Sequence, residues 1–159
     1  LKPIQIMIKV NVFSEERAWS KRLKKKEIFF NKICRFFPKK YKFHNKNMSI
    51  SLMLSNNKNI KRLNKNFRNK NKSTDILSFP FSKKKNRYNQ NYLGDIIISY
   101  NYMDKPKLKN LRVFKQKVAK TFIHGFLHLL GYDHIKNNDY KKMIREEEKL
   151  FKAVISKIN

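Results

Sequence analysis

The sequence predicts an α+β fold, a small four-stranded mixed sheet covered by about four helices. Two kinds of pattern support it: four short apolar or alternating runs typical of strands, and four longer stretches with a period near 3.6 residues. A third observation is their order, which is strand, helix, strand, helix, strand, strand, helix, helix. Because 159 residues can build one core, and no repeat or linker interrupts them, we expect a single domain over residues 1–159.

The first strand and helix are predicted from the amino-terminal forty residues. Apolar residues occupy every second position of residues 4–12, as in a half-buried strand. Ser14 is a candidate helix cap, and the helix is expected to run to about Phe37, before Pro38. This helix carries a basic run at residues 21–26. We interpret its apolar stripe as core and its lysines as solvated, although a surface on RNA or a membrane is the alternative.

The second strand and helix follow the same logic. Residues 48–54 alternate between apolar and polar, and Asn56 or Asn57 can cap a helix that ends at Arg68.

Two apolar strands are expected next, over residues 75–81 and 96–98. Pro80 stops the first of them, and the basic, polar stretch 83–91 between them is typical of an exposed loop. The two strands are therefore predicted to form a hairpin.

The remaining two helices surround a cluster of histidines. One helix is predicted from about Leu108, with Pro106 just before its start, and runs into the histidines. The last helix follows them, with Asn138 or Asp139 as its cap.

Net charge is the most extreme feature of the composition. The chain has 39 Lys+Arg against 11 Asp+Glu, a formal charge of +28, which attracts polyanions such as nucleic acid. AT-rich codons would also produce many of these lysines, so the charge alone does not assign a partner. The sequence lacks a transmembrane run and a signal peptide pattern, and its single cysteine, Cys34, is expected to be buried. We expect the cytoplasm or an organelle matrix.

The residues that carry chemistry are His124, His128 and His134. A spacing of four places the first two on one helix face, and Gly131 lets the chain turn back and bring the third toward them. Three imidazoles with an open position form a catalytic zinc site, which lowers the pKa of a bound water. Gly125 stands where the related zinc peptidases have their catalytic glutamate, so the site suits a phosphodiester better than an amide.

Other interpretations of the histidines remain open. A closed structural zinc site would need a fourth ligand, for which Cys34 and His44 are the candidates. Asp133 could be a metal ligand, orient a histidine or serve as a turn residue. Packing of the histidines in a core, without a metal, is the third interpretation.

Three motifs in order resemble the YbeY family of metal-dependent, single-strand-specific endoribonucleases that mature rRNA. They are HGFLHLLGYDH at residues 124–134, LNKNFR with TDILSFP at residues 63–68 and 74–80, and LGDII at residues 93–97. The resemblance implies a zincin-like α+β fold, one zinc ion on His124, His128 and His134, and a functional arginine at Arg68.

The resemblance also implies a biological role. It points to single-stranded RNA, rRNA of the small ribosomal subunit, as the substrate and to ribosome quality control. Tyr88, Tyr92 and Tyr132 are candidates for stacking on bases, and a lysine-rich loop at residues 83–85 departs from the family pattern. The alternatives are a non-catalytic, zinc-stabilised RNA-binding protein of the ribosome and a metallopeptidase that lacks its glutamate.

Overall fold

A computed structural model describes residues 8–41, 47–82, 91–107 and 110–159. The strands are β1 (Ile8–Ser14), β2 (Met48–Ser55), β3 (Ile76–Pro80) and β4 (Tyr92–Ser99). The helices in these ranges are α1 (Ala18–Arg22), α2 (Lys26–Arg35), α3 (Asn57–Arg68), α4 (Tyr100–Met103), α5 (Leu111–Leu129) and α6 (Asn137–Val154), with 3₁₀ turns at Lys39–Tyr41 and Ile155–Lys157. None of these helices is long and apolar enough to span a bilayer.

The strands form one mixed sheet in the order β1-β2-β4-β3. Strands β1, β2 and β4 are parallel, and β3 is antiparallel to β4, with Ile76 opposite Ile98. The predicted α+β class, the mixed four-stranded sheet and the pairing of the last two strands are confirmed. Strand β4 begins at Tyr92, earlier than predicted, and the predicted starts of the first strand and of the helix at Leu108 lie outside the described residues.

The two faces of the sheet are covered unequally. Alternate residues of the central strands, such as Leu52 and Ile96, pack with helices α2, α5 and α6 into the main core. On the other face α3 covers a small cluster of Ile60, Leu77 and Ile97. Helix α5 therefore lies on the well-packed face, against β3 and β4.

The long helix predicted between Ser14 and Phe37 is wrong, because the chain breaks it into α1 and α2. Leu23 adopts an extended conformation at the break, which buries its side chain in the core. Ser14 is not a cap: it ends β1, and its hydroxyl donates to the Glu16 carbonyl.

The observed helix cap agrees with the predicted one in α3, and the starts of α5 and α6 differ from the prediction. The Asn56 side chain accepts from the backbone N–H of Asn59, as predicted for α3. Helix α5 is capped by Asn110, so Pro106 lies further upstream of the helix than expected. Helix α6 begins after Lys136 without a side-chain cap, because Asn138 and Asp139 already lie inside its first turn.

Strand β1 is at one edge of the sheet, and α2 packs beside it. The Asn31 side chain accepts a hydrogen bond from the Val10 backbone N–H at 2.9 Å and donates one to the Val10 carbonyl at 3.0 Å. A side chain of α2 thus occupies the edge of the strand.

Candidate metal centre

Helix α5 presents two of the three histidines. Its first turn is capped by the Asn110 side chain, which accepts from the backbone N–H of Arg112 at 2.8 Å. Phe122 and Phe126 are buried in the main core, while His124 and His128 remain partly exposed. Burial of the aromatic face therefore fixes the rotation of the helix, and with it the direction of both imidazoles.

The end of α5 brings the third histidine back. Gly131 has φ +95°, and its N–H donates to the His128 carbonyl, while the N–H of Tyr132 donates to the Leu127 carbonyl. These two bonds are those of a Schellman motif, in which a left-handed glycine ends a helix and reverses the chain. The predicted role of Gly131 is confirmed, and the turn carries His134 to the other two rings.

The three imidazoles meet at one point. The Nε2 atoms of His124 and His128 are 3.0 Å apart, and one ligand atom from each of the three histidines lies within 4.8 Å of the others. The rings of His128 and His134 have centroids 5.1 Å apart. Three imidazoles that the sequence predicted to converge do converge.

The surroundings of His128 favour its neutral form. Burial, and then the neighbouring rings of His124 and His134, lower the pKa of His128 below its usual range. A neutral imidazole has a lone pair to offer, so His128 is ready to bind a metal at neutral pH.

The donor set fits a zinc ion. Zn–N bonds are about 2.0–2.1 Å, so two donors on one ion are at most about 4.2 Å apart. The His124–His128 pair already meets this limit at 3.0 Å, and the His134 side chain, 53% exposed, has room to rotate toward them. His124, His128 and His134 would hold such an ion with three nitrogen donors beside the cleft.

A cleft of about 420 Å³ opens beside the rings, and we call it the histidine cleft. It is lined by Lys120, His124, His134, Tyr140, Met143, Ile144, Glu147 and Glu148. Of these residues only the two histidines were predicted from the sequence as site residues, and Glu147 and Tyr140 are among those that were missed. The Glu147 carboxylate accepts a hydrogen bond from Nδ1 of His124, and Tyr140 is 50% exposed. The run of three glutamates at 146–148, unusual in so basic a chain, was the only signal for Glu147.

Gly125 lies close against strand β3. A Cβ atom at this position would lie 2.6 Å from Cδ1 of Ile76 and 3.0 Å from Oγ of Ser78, both on β3. A side chain at position 125 would therefore point into the sheet, away from the histidine cleft. A glutamate there could not act on a substrate beside the histidines, which argues against a peptidase.

Arg68 lies in the last turn of α3 and is exposed. It is not among the residues that line the histidine cleft. The following loop, residues 69–75, joins it to edge strand β3, and Asp75 lines a smaller cleft with His124. Buried Asn64 fixes this loop by donating to the Lys72 carbonyl at 2.9 Å. Loop 69–75 thus connects Arg68 to β3, the edge strand against which Gly125, next to His124, packs.

Of the other candidate ligands, Cys34 lies away from the histidines, and the Asp133 carboxylate is 4.0 Å from Nδ1 of His134. Cys34 is buried in the main core, where burial raises the pKa of its thiol well above the usual range. The Asp133 carboxylate accepts from the backbone N–H of His134 at 2.7 Å and acts as a turn residue. His44 lies outside the described residues.

The candidate stacking tyrosines are in different places. Tyr92 packs against Phe81 and donates to the Asp95 carboxylate. Tyr132 is half-buried beside Lys142, whose Nζ is 5.9 Å from its ring centroid. Tyr88 and the lysine-rich loop 83–85 lie outside the described residues.

A second cleft, of about 380 Å³, lies at the opposite end of α5, and we call it the basic cleft. It is lined by Lys21, Arg22, Leu23, Lys24, Lys25, Ile28, Phe29, Lys32, Leu111, Lys115, Lys157, Ile158 and Asn159. Among the described residues, its lining includes no acidic side chain. The cations come from α1, α2 and the break between them, from α5 and from the carboxyl-terminal 3₁₀ turn.

The fold and the three converging imidazoles define a class of protein, an α+β protein with a candidate metal centre at the end of a core helix. The comparisons with known proteins give the family. The sequence model of the family Endoribonuclease YbeY matches residues 12–155, and the chain belongs to this family. The resemblance found in the sequence is confirmed.

Individual relatives agree with the family match. Endoribonuclease YbeY of Pelagibacter ubique is 60% identical over 152 residues, which cover 96% of this chain and 99% of the relative. Endoribonuclease YbeY of Persephonella marina is 35% identical over 111 residues, 69% of this chain and 72% of the relative. The solution structure of TM1509 from Thermotoga maritima shares the fold, with a TM-score of 0.57 and 24% identity over 92% of this chain and 89% of that chain.

Proposed function

We propose that the chain is a zinc-dependent endoribonuclease that cleaves single-stranded RNA. The convergence of the His124, His128 and His134 nitrogens within 4.8 Å of one another, beside a cleft, carries this proposal. A bound Zn²⁺ would supply Lewis-acid chemistry to the scissile phosphate. Membership of an endoribonuclease family supports RNA as the substrate.

The protein's own residues would bind and orient the RNA. Arg68 is proposed as the catalytic arginine, because a guanidinium can hold two phosphate oxygens and stabilise the charge that builds on them. Loop 69–75 connects Arg68 to β3, the strand that packs against Gly125 next to His124, and this connection supports the role. Tyr140 at the histidine cleft offers an exposed ring for an unpaired base.

The proposed substrate in the cell is rRNA of the small ribosomal subunit, and the proposed role is processing of its 3′ end and ribosome quality control in the cytoplasm. The family resemblance supports this assignment. The charge of +28 supports it physically, because it draws RNA to the protein from a distance.

One experiment tests the cleavage and its machinery together. Wild type, His124→Ala and Arg68→Ala are incubated with a single-stranded RNA, and bound zinc is quantified in each preparation. We expect His124→Ala to lose zinc and cleavage, and Arg68→Ala to keep zinc but to cleave at least 100-fold more slowly, as when one transition-state donor is removed.

Two results would contradict the proposal. Equal cleavage by all three preparations would indicate a contaminating nuclease, which is a real hazard with so basic a protein. Salt-sensitive RNA binding by a zinc-loaded wild type that never cleaves would indicate a non-catalytic RNA-binding protein.

A further inference from the structure

Helix α6 carries two adjacent glutamates with different partners. The Glu147 carboxylate accepts a hydrogen bond from His124 Nδ1, and its side chain is only 15% exposed. The Glu146 carboxylate is 7% exposed and accepts from the Tyr41 hydroxyl and from Lys40 Nζ, the latter at 2.9 Å. Successive residues on a helix point in directions about 100° apart, so one acid faces the 3₁₀ turn and the other faces α5.

The contact made by Glu147 determines which nitrogen of His124 faces the other histidines. A neutral imidazole has one N–H and one lone pair. With Nδ1 donating to Glu147, the lone pair is on Nε2, the atom that lies 3.0 Å from Nε2 of His128. The carboxylate therefore selects the tautomer and the ring orientation that a metal in the centre requires.

The same contact keeps Glu147 from acting as a general base. Its carboxylate is engaged at the ring nitrogen on the side away from His128, so the imidazole stands between it and the point where the three histidines meet. A general base would need to reach the reacting atoms directly or through one water. Glu147 is thus placed to orient a ligand.

Glu146 explains why Glu147 stays in position. Its bonds to Lys40 and Tyr41 tie α6 to the turn at Lys39–Tyr41, and buried Met143 and Leu150 fix the same helix on the core. The rotation of α6 is therefore set by contacts that do not involve the histidines.

We propose that Glu147 is the positioning residue of the metal centre: its carboxylate holds His124 with Nε2 directed at the ion and so increases the affinity for zinc. The inference rests on the proposed function in one respect, that the three histidines bind zinc. Loss of such an orienting partner costs roughly 10- to 100-fold in metal affinity in other proteins.

Zinc affinity, measured by chelator competition without RNA, tests the proposal. We expect Glu147→Ala to bind zinc roughly 10- to 100-fold more weakly than wild type. Glu147→Gln should recover part of the loss, because its amide oxygen can still accept the Nδ1 hydrogen. Glu148→Gln is the matched control: it removes the same charge from the neighbouring residue of the same cleft, and it should bind zinc like wild type.

A second measurement separates positioning from folding. Nitrogen-15 NMR of the imidazoles in metal-free protein should show neutral His124 with its proton on Nδ1 in wild type. In Glu147→Ala it should show a mixture of the Nδ1–H and Nε2–H tautomers, with backbone spectra otherwise alike. Wild-type zinc affinity in Glu147→Ala, or an equal loss in Glu148→Gln, would overturn the proposal. Wild type that binds zinc with the expected order of variants but cleaves no RNA would overturn the proposed function and leave this inference standing.

Discussion

Helix α5 ends in two clefts of opposite chemical character. The histidine cleft at its carboxyl end combines imidazoles with Glu147 and Glu148, whereas the lining of the basic cleft at its amino end, in the part of the chain that is described, has no acid. Imidazole nitrogens and carboxylates suit a metal cation, and a cluster of lysines suits phosphate. Within a chain of net charge +28, the histidine cleft thus offers carboxylates to a cation, whereas the described lining of the basic cleft offers none.

The two clefts are far enough apart to be altered separately. Leu111 of the basic cleft and His128 lie roughly 25 Å apart along the helix, at about 1.5 Å per residue. If the histidine cleft performs the chemistry and the basic cleft only binds RNA, substitutions at the two ends should change different measured quantities.

Among the substitutions that compare the two clefts, Tyr140→Ala in the histidine cleft should have the largest effect. Stacking of a base on an aromatic ring contributes about 1–3 kcal/mol, so cleavage of single-stranded RNA should slow roughly 5- to 100-fold at limiting substrate, with zinc content unchanged. Tyr140→Phe, which keeps the ring, is the control and should cleave like wild type. An equal loss in both variants would show that the hydroxyl acts instead of the ring.

Charge reversal in the basic cleft should have the next largest effect. Lys24→Glu combined with Lys25→Glu is expected to weaken RNA binding about tenfold at low salt and to make the slope of log affinity against log salt shallower by roughly 1 to 2. The rate at saturating RNA should not change. Lys58→Glu with Lys61→Glu, exposed on α3, makes the same change in charge elsewhere, and an equal loss there would show that only the net charge matters.

Gly131→Ala should destabilise the turn that returns His134. Its φ of +95° is unfavourable for a residue with a Cβ by about 1–2 kcal/mol, although no neighbouring atom would clash with the Cβ. Urea unfolding should report this loss, and zinc affinity should fall with it. Gly131→Asn should lose less, because asparagine tolerates positive φ better. RNA binding at the basic cleft should be unaffected.

Acid should lower the free energy of unfolding by a smaller amount, through Glu146, whose helix α6 also carries Glu147. Burial would raise the pKa of this carboxyl, but hydrogen bonds from Tyr41 and Lys40 outweigh it and lower the pKa below its ordinary value. The unfolded chain then takes up the proton first, so the stabilisation present at neutral pH is lost as the pH falls below about 4.5. Urea unfolding across this range should show a weaker pH dependence in Glu146→Gln than in wild type.

Local patterns were enough to predict the sheet and the histidines. Alternation in residues 48–54 marks a strand with one side in the core, and the spacing of His124, His128 and Gly131 is fixed by helix geometry. These features depend on neighbours within one or two turns, so a single sequence contains them.

Features that arise from tertiary packing were missed. Glu147 meets His124 only because α6 runs antiparallel to α5, which also brings Gln116 to Asn159. The break between α1 and α2 depends on Leu23 turning into the core, which outweighs a helical pattern. Arg68 remains a prediction, since its role depends on a substrate.

The hydrogen bonds between Asn31 and Val10 have a consequence for solubility. Strand β1 is an outer strand, and an unpaired outer strand offers backbone groups to which a strand of another molecule can add. The Asn31 amide takes the place that a peptide group of such a strand would occupy, and it satisfies both polar groups of Val10. At this edge Asn31 therefore hinders the edge-to-edge pairing of strands through which copies of the protein could aggregate.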